Sequence, residues 1–212
     1  MNQITAITPQ RNNKTRFNIS VDGKFSFAAD AETVIKEKLK IGKDLTPKDI
    51  DRLKFKNETG LLLNRVLALI SRRPHSKKEI EQFLHKKHAT DREKEHILNK
   101  LEDLKYINDE EFVKWWIDQR RTFRPKGKIA IRQELRQKGI SEATIKNILE
   151  NDQKNSQNSE FILALSLAQK RLARYTKIPS QKVKQKLSRF LASRGFEWEI
   201  VKETIDSLIK KD

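Results

Sequence analysis

The chain has 212 residues and a formal net charge of +17 at pH 7, with 46 Lys or Arg residues against 29 Asp or Glu residues. It contains no cysteine, which excludes disulfide bonds and thiolate metal sites. Charged residues make up 35% of the chain and hydrophobic residues 36%, a balance that favours an elongated array of small helical units with modest cores. The positive surplus indicates a polyanionic partner: nucleic acid, an acidic protein or an anionic membrane.

The start of the chain and its longest apolar run bear on where the protein resides. Residues 1–5 lack the basic-then-apolar pattern of a signal peptide. The apolar run 61–70 is interrupted by Asn64 and Arg65 and is too short to cross a bilayer. We therefore expect a soluble, cytoplasmic protein.

The first thirty residues carry the pattern of a β-hairpin. Residues 16–21 and 24–27 alternate between polar and apolar side chains, on either side of Asp22-Gly23. An Asp-Gly pair between two such runs predicts a type I′ turn, because both central residues of that turn have positive φ. Residues 4–8 are a candidate third strand, and we expect the hairpin to pack on a helix, since a lone hairpin is marginally stable in water.

From Asp30 onward the pattern is helical. Asp30 is a suitable N-cap for a first helix, which we expect Gly42 to end. The run Thr46-Pro47-Lys48-Asp49 places a cap, a first-turn proline and a first-turn acid in order, so a second helix begins there. We expect Gly60 to kink or break that helix, which closes an N-terminal region of hairpin and helices at residues 1–60.

The rest of the chain shows an internal repeat of about fifty residues, a period typical of stacked helical units. Its clearest mark is a helix end: residues 135–140 (LRQKGI) recur as residues 191–196 (LASRGF). Each copy has an inward leucine, a base in the last turn and a glycine suited to the left-handed position after the helix. In the earlier copy, residues 84–89, His88 takes the place of the glycine.

Capping residues divide the repeat into units of three helices. Suitable N-caps stand at Ser76, Thr90, Asn108 and Ser141. We predict three-helix units at residues 61–108, 109–150 and 159–212, with a polar linker at residues 151–158. The fold class is therefore mostly α: tandem three-helix repeats, elongated and curved, after a small N-terminal β-hairpin plus helix.

Motifs for catalysis or metal binding do not occur in the sequence. His85 and His88 share a helix face, but no cysteine accompanies them and no HExxH pattern exists, so we interpret them and His96 as exposed basic-face residues. The sequence also lacks a Gly-x-Ser-x-Gly elbow and a glycine-rich phosphate loop. We predict no metal site, no cofactor and no enzymatic activity.

Two basic clusters carry more information about function. Residues 120–138 hold eight bases and the single acid Glu134, whereas residues 161–196 hold nine bases and no acid. Since charge on helical surfaces usually mixes signs, these runs predict surfaces that face a polyanion. The candidate binding residues are Arg120, Arg121, Arg124, Lys126, Lys128, Arg132, Arg136, Lys138, Lys170, Arg171, Arg174, Lys182, Lys186, Arg189 and Arg194.

The tryptophans need a separate interpretation. Trp115 and Trp116 are adjacent, so they cannot both point inward from one helix; we expect one in the core and the other as a contact between units or an exposed anchor. Trp198 opens the last helix. Phe112, Phe161, Phe190 and Phe196 fall at apolar spacing and are predicted core residues. No alternation of aromatic and basic residues typical of base stacking occurs.

Several of these segments together resemble the RecX family of bacterial regulatory proteins, from about Leu63 to the C-terminus. Residues 68–73 (ALISRR) and 76–80 (SKKEI) are similar to the family's pattern in its first unit. The strongest match is residues 101–112 (LEDLKYINDEEF), where Tyr106, Asp109 and Phe112 agree with the family. Lys105 and Asn108 depart from its Gly-Tyr-Leu-Asp-Asp sequence.

The resemblance implies a curved row of three-helix units and a role in modulating the RecA recombinase, in DNA repair, homologous recombination and the SOS response. Family members are understood to lie in the groove of the RecA–DNA filament and to suppress ATP hydrolysis and strand exchange. The implied partners are RecA on DNA and the phosphates of single- or double-stranded DNA. No membrane partner is implied, and the chain is expected to be a monomer.

Two other functions stay open at the level of sequence. The first is a stand-alone DNA-binding protein with helix-turn-helix-like units, in which residues 140–149 would be a recognition helix that reads bases with Lys146 and Asn147. The second is a nuclease or phosphotransferase with dispersed carboxylates, which the missing motifs disfavour.

Overall fold

The computed structural model describes residues 2–11, 13–155, 157–175 and 178–209, and for residues 152–155 and 157–159 the backbone alone. The chain divides into two compact units, residues 1–73 with 81–104 and residues 74–80 with 105–212. Helices predominate, and a small antiparallel sheet stands at the N-terminus, so the predicted class is confirmed. None of the helices in the described part of the chain is long and apolar enough to cross a membrane.

The first unit begins with a four-stranded antiparallel sheet in the order β3-β2-β1-β4. The strands are β1 Asn2–Gln10, β2 Asn13–Val21, β3 Lys24–Asp30 and β4 Asp44–Leu45. The predicted hairpin and third strand are confirmed, and the turn has φ of 49° at Asp22 and 80° at Gly23, as a type I′ turn requires. The short edge strand β4 has no alternating pattern of its own, because two residues are too few to show one.

A β-bulge changes which side of the sheet the β3 side chains occupy. Ile19 pairs with Phe27, but Ser20 pairs with Phe25, so Ser26 is the extra residue. Phe27 is therefore buried with Ile19, whereas Phe25 is 65% exposed. Simple alternation through residues 24–27 would have placed both phenylalanines on one face.

Helix α1, Ala31–Lys36, lies between β3 and β4, and β4 is followed by α2 Pro47–Ile70, α3 Lys77–Lys86 and α4 Asp91–Asp103. The cap at Asp30 is confirmed, since its carboxylate accepts a hydrogen bond from Thr33 N at 2.6 Å. The helix ends before Gly42, contrary to expectation, because Lys38 already has φ of 48°. The sheet packs on α2, where Leu53 joins the core formed by Ile4, Ile19 and Phe27.

Helix α2 runs without interruption through Gly60, so a break there is wrong. Leu53 before the glycine and Leu62 and Val66 after it are all buried, with Leu53 on the opposite side of the helix from Leu62. Because burial on both sides holds the backbone in one helix, the intrinsic cost of a glycine in the interior is overcome.

The second unit contains two three-helix bundles. The first consists of α5 Asp109–Phe123, α6 Lys128–Gln137 and α7 Glu142–Asn155, and the second of α8 Gln157–Leu172, α9 Ser180–Ser193 and α10 Trp198–Leu208. Phe112, Ile131, Leu135 and Ile145 are central to the first core. The second core contains Ala164, Ala168, Leu187, Leu191 and Val201.

The repeated helix end has the same geometry in all three copies. Gly139, Gly195 and His88 have φ of 84°, 81° and 58°. In each copy the next residue donates its N–H to the carbonyl of the buried leucine: Ala89 to Leu84, Ile140 to Leu135 and Phe196 to Leu191, at 3.1, 3.1 and 3.3 Å. This is the hydrogen bond of a Schellman motif, as the sequence predicts.

The predicted N-caps also hold. The hydroxyl oxygens of Ser76, Thr90 and Ser141 accept the N–H of Glu79, Glu93 and Thr144, and Asn108 Oδ1 accepts that of Glu111. In the predicted linker 151–158, α7 extends to Asn155 and α8 begins at Gln157. Ser156 and the side chains of residues 152–159 lie outside the described residues, so the linker stays a prediction.

Candidate functional site

The eight bases between residues 120 and 138, which we call the α5–α6 cluster, surround an acidic centre at Glu134. Its carboxylate accepts hydrogen bonds from Arg120 Nε at 2.6 Å and Trp116 Nε1 at 2.8 Å, and from Lys126 Nζ. The Glu134 side chain is 17% exposed, so these interactions are poorly screened by water. The two bases are thus held by the fold.

Other bases of the cluster pair with acids that are remote in sequence or outside the run. Glu142 lies 3.2 Å from Arg132 Nε and 2.6 Å from Arg136 Nε. Lys128 Nζ lies 3.3 Å from Glu160, and Lys138 Nζ lies 2.6 Å from Glu79. Together with Arg120 and Lys126, at least six of the eight bases are therefore paired with acids, and Arg124 is exposed.

These pairs lower the pKa values of the acids. Burial raises the pKa of Glu134, but hydrogen bonds from Arg120, Lys126 and Trp116 lower it by more, so it lies below its usual range. The hydrogen bond from Arg136 lowers the pKa of Glu142. Both carboxylates are accordingly ionised at pH 7, and their two negative charges offset part of the charge of the eight bases in this cluster.

The paired tryptophans belong to the same network. Neither is fully buried, contrary to the expectation that one would be a core residue: both are half-buried and pack against Phe112. The Trp116 ring lies between two cations, with the Arg120 guanidinium 4.2 Å and the Lys138 ammonium 5.0 Å from its centroid. Trp116 thus organises bases as a cation–π partner and a hydrogen-bond donor.

The second basic region has a different character. We call Lys170, Arg171, Arg174, Lys182, Lys186, Arg189 and Arg194 the α8–α9 cluster. In the described part of the chain, none of these bases forms an ion pair with an acid. Aromatic rings take that place: Arg171 and Arg194 lie 5.1 and 5.4 Å from the Phe190 centroid, and Lys186 lies 5.5 Å from that of Tyr175.

Helix α9 presents three of these bases as a stripe. Lys182, Lys186 and Arg189 stand at positions i, i+4 and i+7 and are all exposed, whereas Val183, Leu187 and Leu191 are buried. At 1.5 Å of rise per residue the stripe extends about 10 Å along one helix face. The helix contains no acid, so the stripe, which we call the α9 stripe, projects uncompensated positive charge into solvent.

Backbone contacts hold the two bundles of this unit together. Gly127 N and Ile129 N, at the start of α6, donate hydrogen bonds to the carbonyls of Arg194 and Gly195, at the end of α9, both at 3.0 Å. A Cβ at Gly127 would overlap the backbone of Gly195 and Phe196. The positive end of one helix dipole thereby meets the negative end of another.

Glu160 completes this junction from α8. Its side chain is buried, and its Oε1 accepts the N–H of Lys128 at 2.9 Å while Oε2 pairs with Lys128 Nζ. Helix α6 has no acid in its own first turn and no side-chain cap at Gly127. An acid from the next bundle thus supplies the missing cap, a role that sequence analysis missed because Glu160 is remote from α6 in the chain.

Three domain models of one known family match most of the chain. The model of the RecX regulatory protein N-terminal domain matches residues 2–46, that of the second RecX three-helix domain residues 108–149, and that of the third residues 159–205. A protein of Bacillus subtilis (strain 168) called regulatory protein RecX is 33% identical over 205 residues, which cover 97% of this chain and 76% of the relative. A Listeria innocua protein of the same name is 32% identical and is covered over 73% of its length, against 94% of this chain.

Solved structures agree with the sequence comparisons. A crystal structure of regulatory protein RecX is 28% identical, with a TM-score of 0.74 over 97% of this chain and 100% of that chain. RecX from Lactobacillus salivarius is 24% identical and has the same fold, with a TM-score of 0.63 over 72% of this chain and 97% of the other. The three domain matches, and relatives more than 30% identical along nearly the whole chain, show that this chain belongs to the RecX family of regulatory proteins.

Proposed function

We propose that this protein regulates a RecA recombinase by binding the RecA filament on DNA, where it reduces ATP hydrolysis and strand exchange without catalysis of its own. Family membership supports the regulatory role, and the partner comes from the resemblance given above. The observation that carries the proposal is the α8–α9 cluster, whose bases have no acidic partner among the described residues. DNA phosphates and the acidic side chains of a filament are both suitable counter-charges.

The two basic clusters have different roles in this proposal. In the α5–α6 cluster, bases such as Arg120 and Lys126 are already bound to Glu134 and would have to leave it to bind a partner. The α9 stripe, by contrast, is exposed and needs no rearrangement. The α9 stripe is therefore our primary candidate for filament contact, with Lys170, Arg171, Arg174 and Arg194 beside it.

Stand-alone reading of a DNA sequence is the weaker alternative. The proposed recognition residues on α7 are already engaged: Lys146 pairs with Glu150 at 3.8 Å, and Asn147 Oδ1 accepts a hydrogen bond from Asn151. Sequence-specific protection of duplex DNA in the absence of RecA would favour this alternative.

Co-sedimentation with RecA filaments on single-stranded DNA tests the proposed site. The triple variant Lys182→Glu, Lys186→Glu and Arg189→Glu should bind roughly a hundredfold more weakly, because three contacts of about 1 kcal/mol each are lost and reversed. The matched control changes three exposed lysines elsewhere, Lys40, Lys48 and Lys86, to Glu. Equal loss of binding in both triple variants would refute the site and leave a nonspecific effect of net charge.

A further inference from the structure

The first unit contains a cavity that the proposed function does not use. It has a volume of about 240 Å³ and lies where the sheet, α1, α2 and α4 meet. Its lining includes Arg16, Lys56, Gly60, Asn64, His96 and Lys100. This volume is several times the roughly 30 Å³ of one water molecule and less than the 300 Å³ or more that a drug-sized ligand occupies, so the cavity suits a small polar ligand.

Charge around the cavity favours an anion. Among the residues that line the cavity, Arg16, Lys56 and Lys100 are basic and Asp30 is the one acid. Lys56 Nζ also lies 3.5 Å from Glu37 Oε1, outside the lining, so Lys56 would have to leave that carboxylate to bind a ligand. The Asp30 carboxylate is already occupied as the cap of α1 through Thr33 N. Burial raises the pKa of Asp30, but its hydrogen bonds with Thr33 and the charges of Arg16 and Lys56 lower it by more, which agrees with a positive field at this position.

Neighbouring contacts fix two of the cavity's cationic or polar groups in place. Arg16 Nη2 donates a hydrogen bond to Asn57 Oδ1 on α2. The His96 ring stands edge-on to Phe55, with centroids 5.4 Å apart. Lys100 has no ion pair within the described residues. Groups held in this way lose little conformational freedom when they bind a ligand, which favours affinity.

Gly60 in α2 is an independent observation that supports a ligand site in this cavity. A glycine in a helix interior costs about 1 kcal/mol relative to alanine. No close packing requires it here, since a Cβ at Gly60 would meet nothing within 4 Å. Gly127 and Gly195, in contrast, stand where a Cβ would overlap other atoms. Gly60 lines the cavity, and because it has no side chain, that part of the cavity wall stays open.

We propose that this cavity binds a di- or triphosphate group, either free polyphosphate or the phosphate chain of a nucleotide. Arg16, Lys56 and Lys100 would contact the phosphate oxygens, and Asn64 and His96 would provide further polar contacts. Charge-assisted hydrogen bonds from several cations are the usual means by which proteins hold such anions. The site lies in the first unit, so a test of this site is independent of any test of the α8–α9 cluster.

Isothermal titration calorimetry of the full chain with inorganic pyrophosphate tests the site, at a constant ionic strength of about 0.15 M so that nonspecific charge effects are screened. The double variant Lys56→Gln and Lys100→Gln should raise the Kd roughly tenfold or more, because hydrogen bonds to charged groups are lost. The matched control, Lys40→Gln and Lys48→Gln, removes the same charge from exposed positions outside the cavity and should leave the Kd unchanged.

A second variant tests the cavity itself. Gly60→Leu adds a good helix former to α2 and fills space, so it should keep or raise the thermal unfolding temperature of the unliganded protein while weakening pyrophosphate binding. Titration with ADP and with adenosine separates the two sources: tighter binding of ADP than of pyrophosphate assigns a nucleotide, and equal binding assigns free polyphosphate. Absence of pyrophosphate binding, equal affinity of both lysine double variants, or adenosine binding as tightly as ADP would overturn the proposal.

Discussion

Gly127→Ala tests whether the junction between the two bundles of the second unit depends on backbone contact. Gly127 has φ of −77° and ψ of 168°, a conformation that alanine adopts without strain. The substitution therefore acts through its added Cβ, which overlaps Gly195 and Phe196. Relief of that overlap separates α6 from α9 and breaks the hydrogen bonds from Gly127 N and Ile129 N.

The magnitude follows from these contacts. Two hydrogen bonds contribute about 1 kcal/mol each, and forcing an extra carbon into a packed contact costs about 1–3 kcal/mol. We expect Gly127→Ala to lower the free energy of unfolding of the second unit by about 3–5 kcal/mol. With an m-value of about 2 kcal/mol/M, the urea midpoint falls by roughly 1.5–2.5 M.

Tryptophan fluorescence is a suitable assay, because the chain has 3 tryptophans and Trp115, Trp116 and Trp198 all lie in the second unit. Gly60→Ala is the matched control, since its Cβ enters open space in the first unit, and it should leave the fluorescence transition unchanged. A Gly127→Ala midpoint equal to that of the wild type would refute the role of backbone contact at this junction.

Three further predictions concern the charged networks. Glu134→Gln leaves Arg120 and Lys126 without their carboxylate and should lower the free energy of unfolding by about 2 kcal/mol in the same urea assay; an unchanged midpoint would show that these pairs contribute nothing. Because the folded pKa values of Glu134 and Glu142 lie below their unfolded values, their stabilisation is complete above the unfolded pKa of about 4.3 and is lost as pH falls through the folded values. Wild-type stability should therefore fall more steeply below about pH 5 than that of Glu134→Gln, and equal slopes would contradict this. Neutralising the α9 stripe with Lys182→Gln, Lys186→Gln and Arg189→Gln should reduce the salt dependence of single-stranded DNA binding, the slope of log K against log salt, by about 2; an unchanged slope would exclude phosphate contacts there.

Local chemistry explains which parts of the fold could be predicted. The turn at Asp22-Gly23, the cap at Thr90 and the glycine at position 139 depend on a few neighbouring residues, so their geometry follows from sequence. The continuity of α2 through Gly60 does not follow from local sequence, because it depends on the burial of Leu62 and Val66 against other elements. The bulge at Ser26 likewise depends on how β3 pairs with its neighbour.

The candidate site also has features that follow from local sequence and features that depend on distant residues. Composition along the chain locates both basic clusters, but it cannot show that Glu79 and Glu160 neutralise bases of the α5–α6 cluster, because these acids stand far from it in sequence. The α8–α9 cluster has no such partner in the described structure, and its role in binding stays a prediction. The presence or absence of acidic partners in the fold is therefore what distinguishes the two basic clusters.

The rate of ATP hydrolysis by RecA on single-stranded DNA tests the central claim most directly. We expect the wild-type protein to reduce this rate at substoichiometric amounts, and the triple variant Lys182→Glu, Lys186→Glu and Arg189→Glu to leave it near the uninhibited value. The triple variant at Lys40, Lys48 and Lys86 should inhibit as the wild type does. An undiminished rate with excess wild-type protein would contradict the proposed function. Equal inhibition by the wild type and by the triple variant at Lys182, Lys186 and Arg189 would contradict the assigned surface.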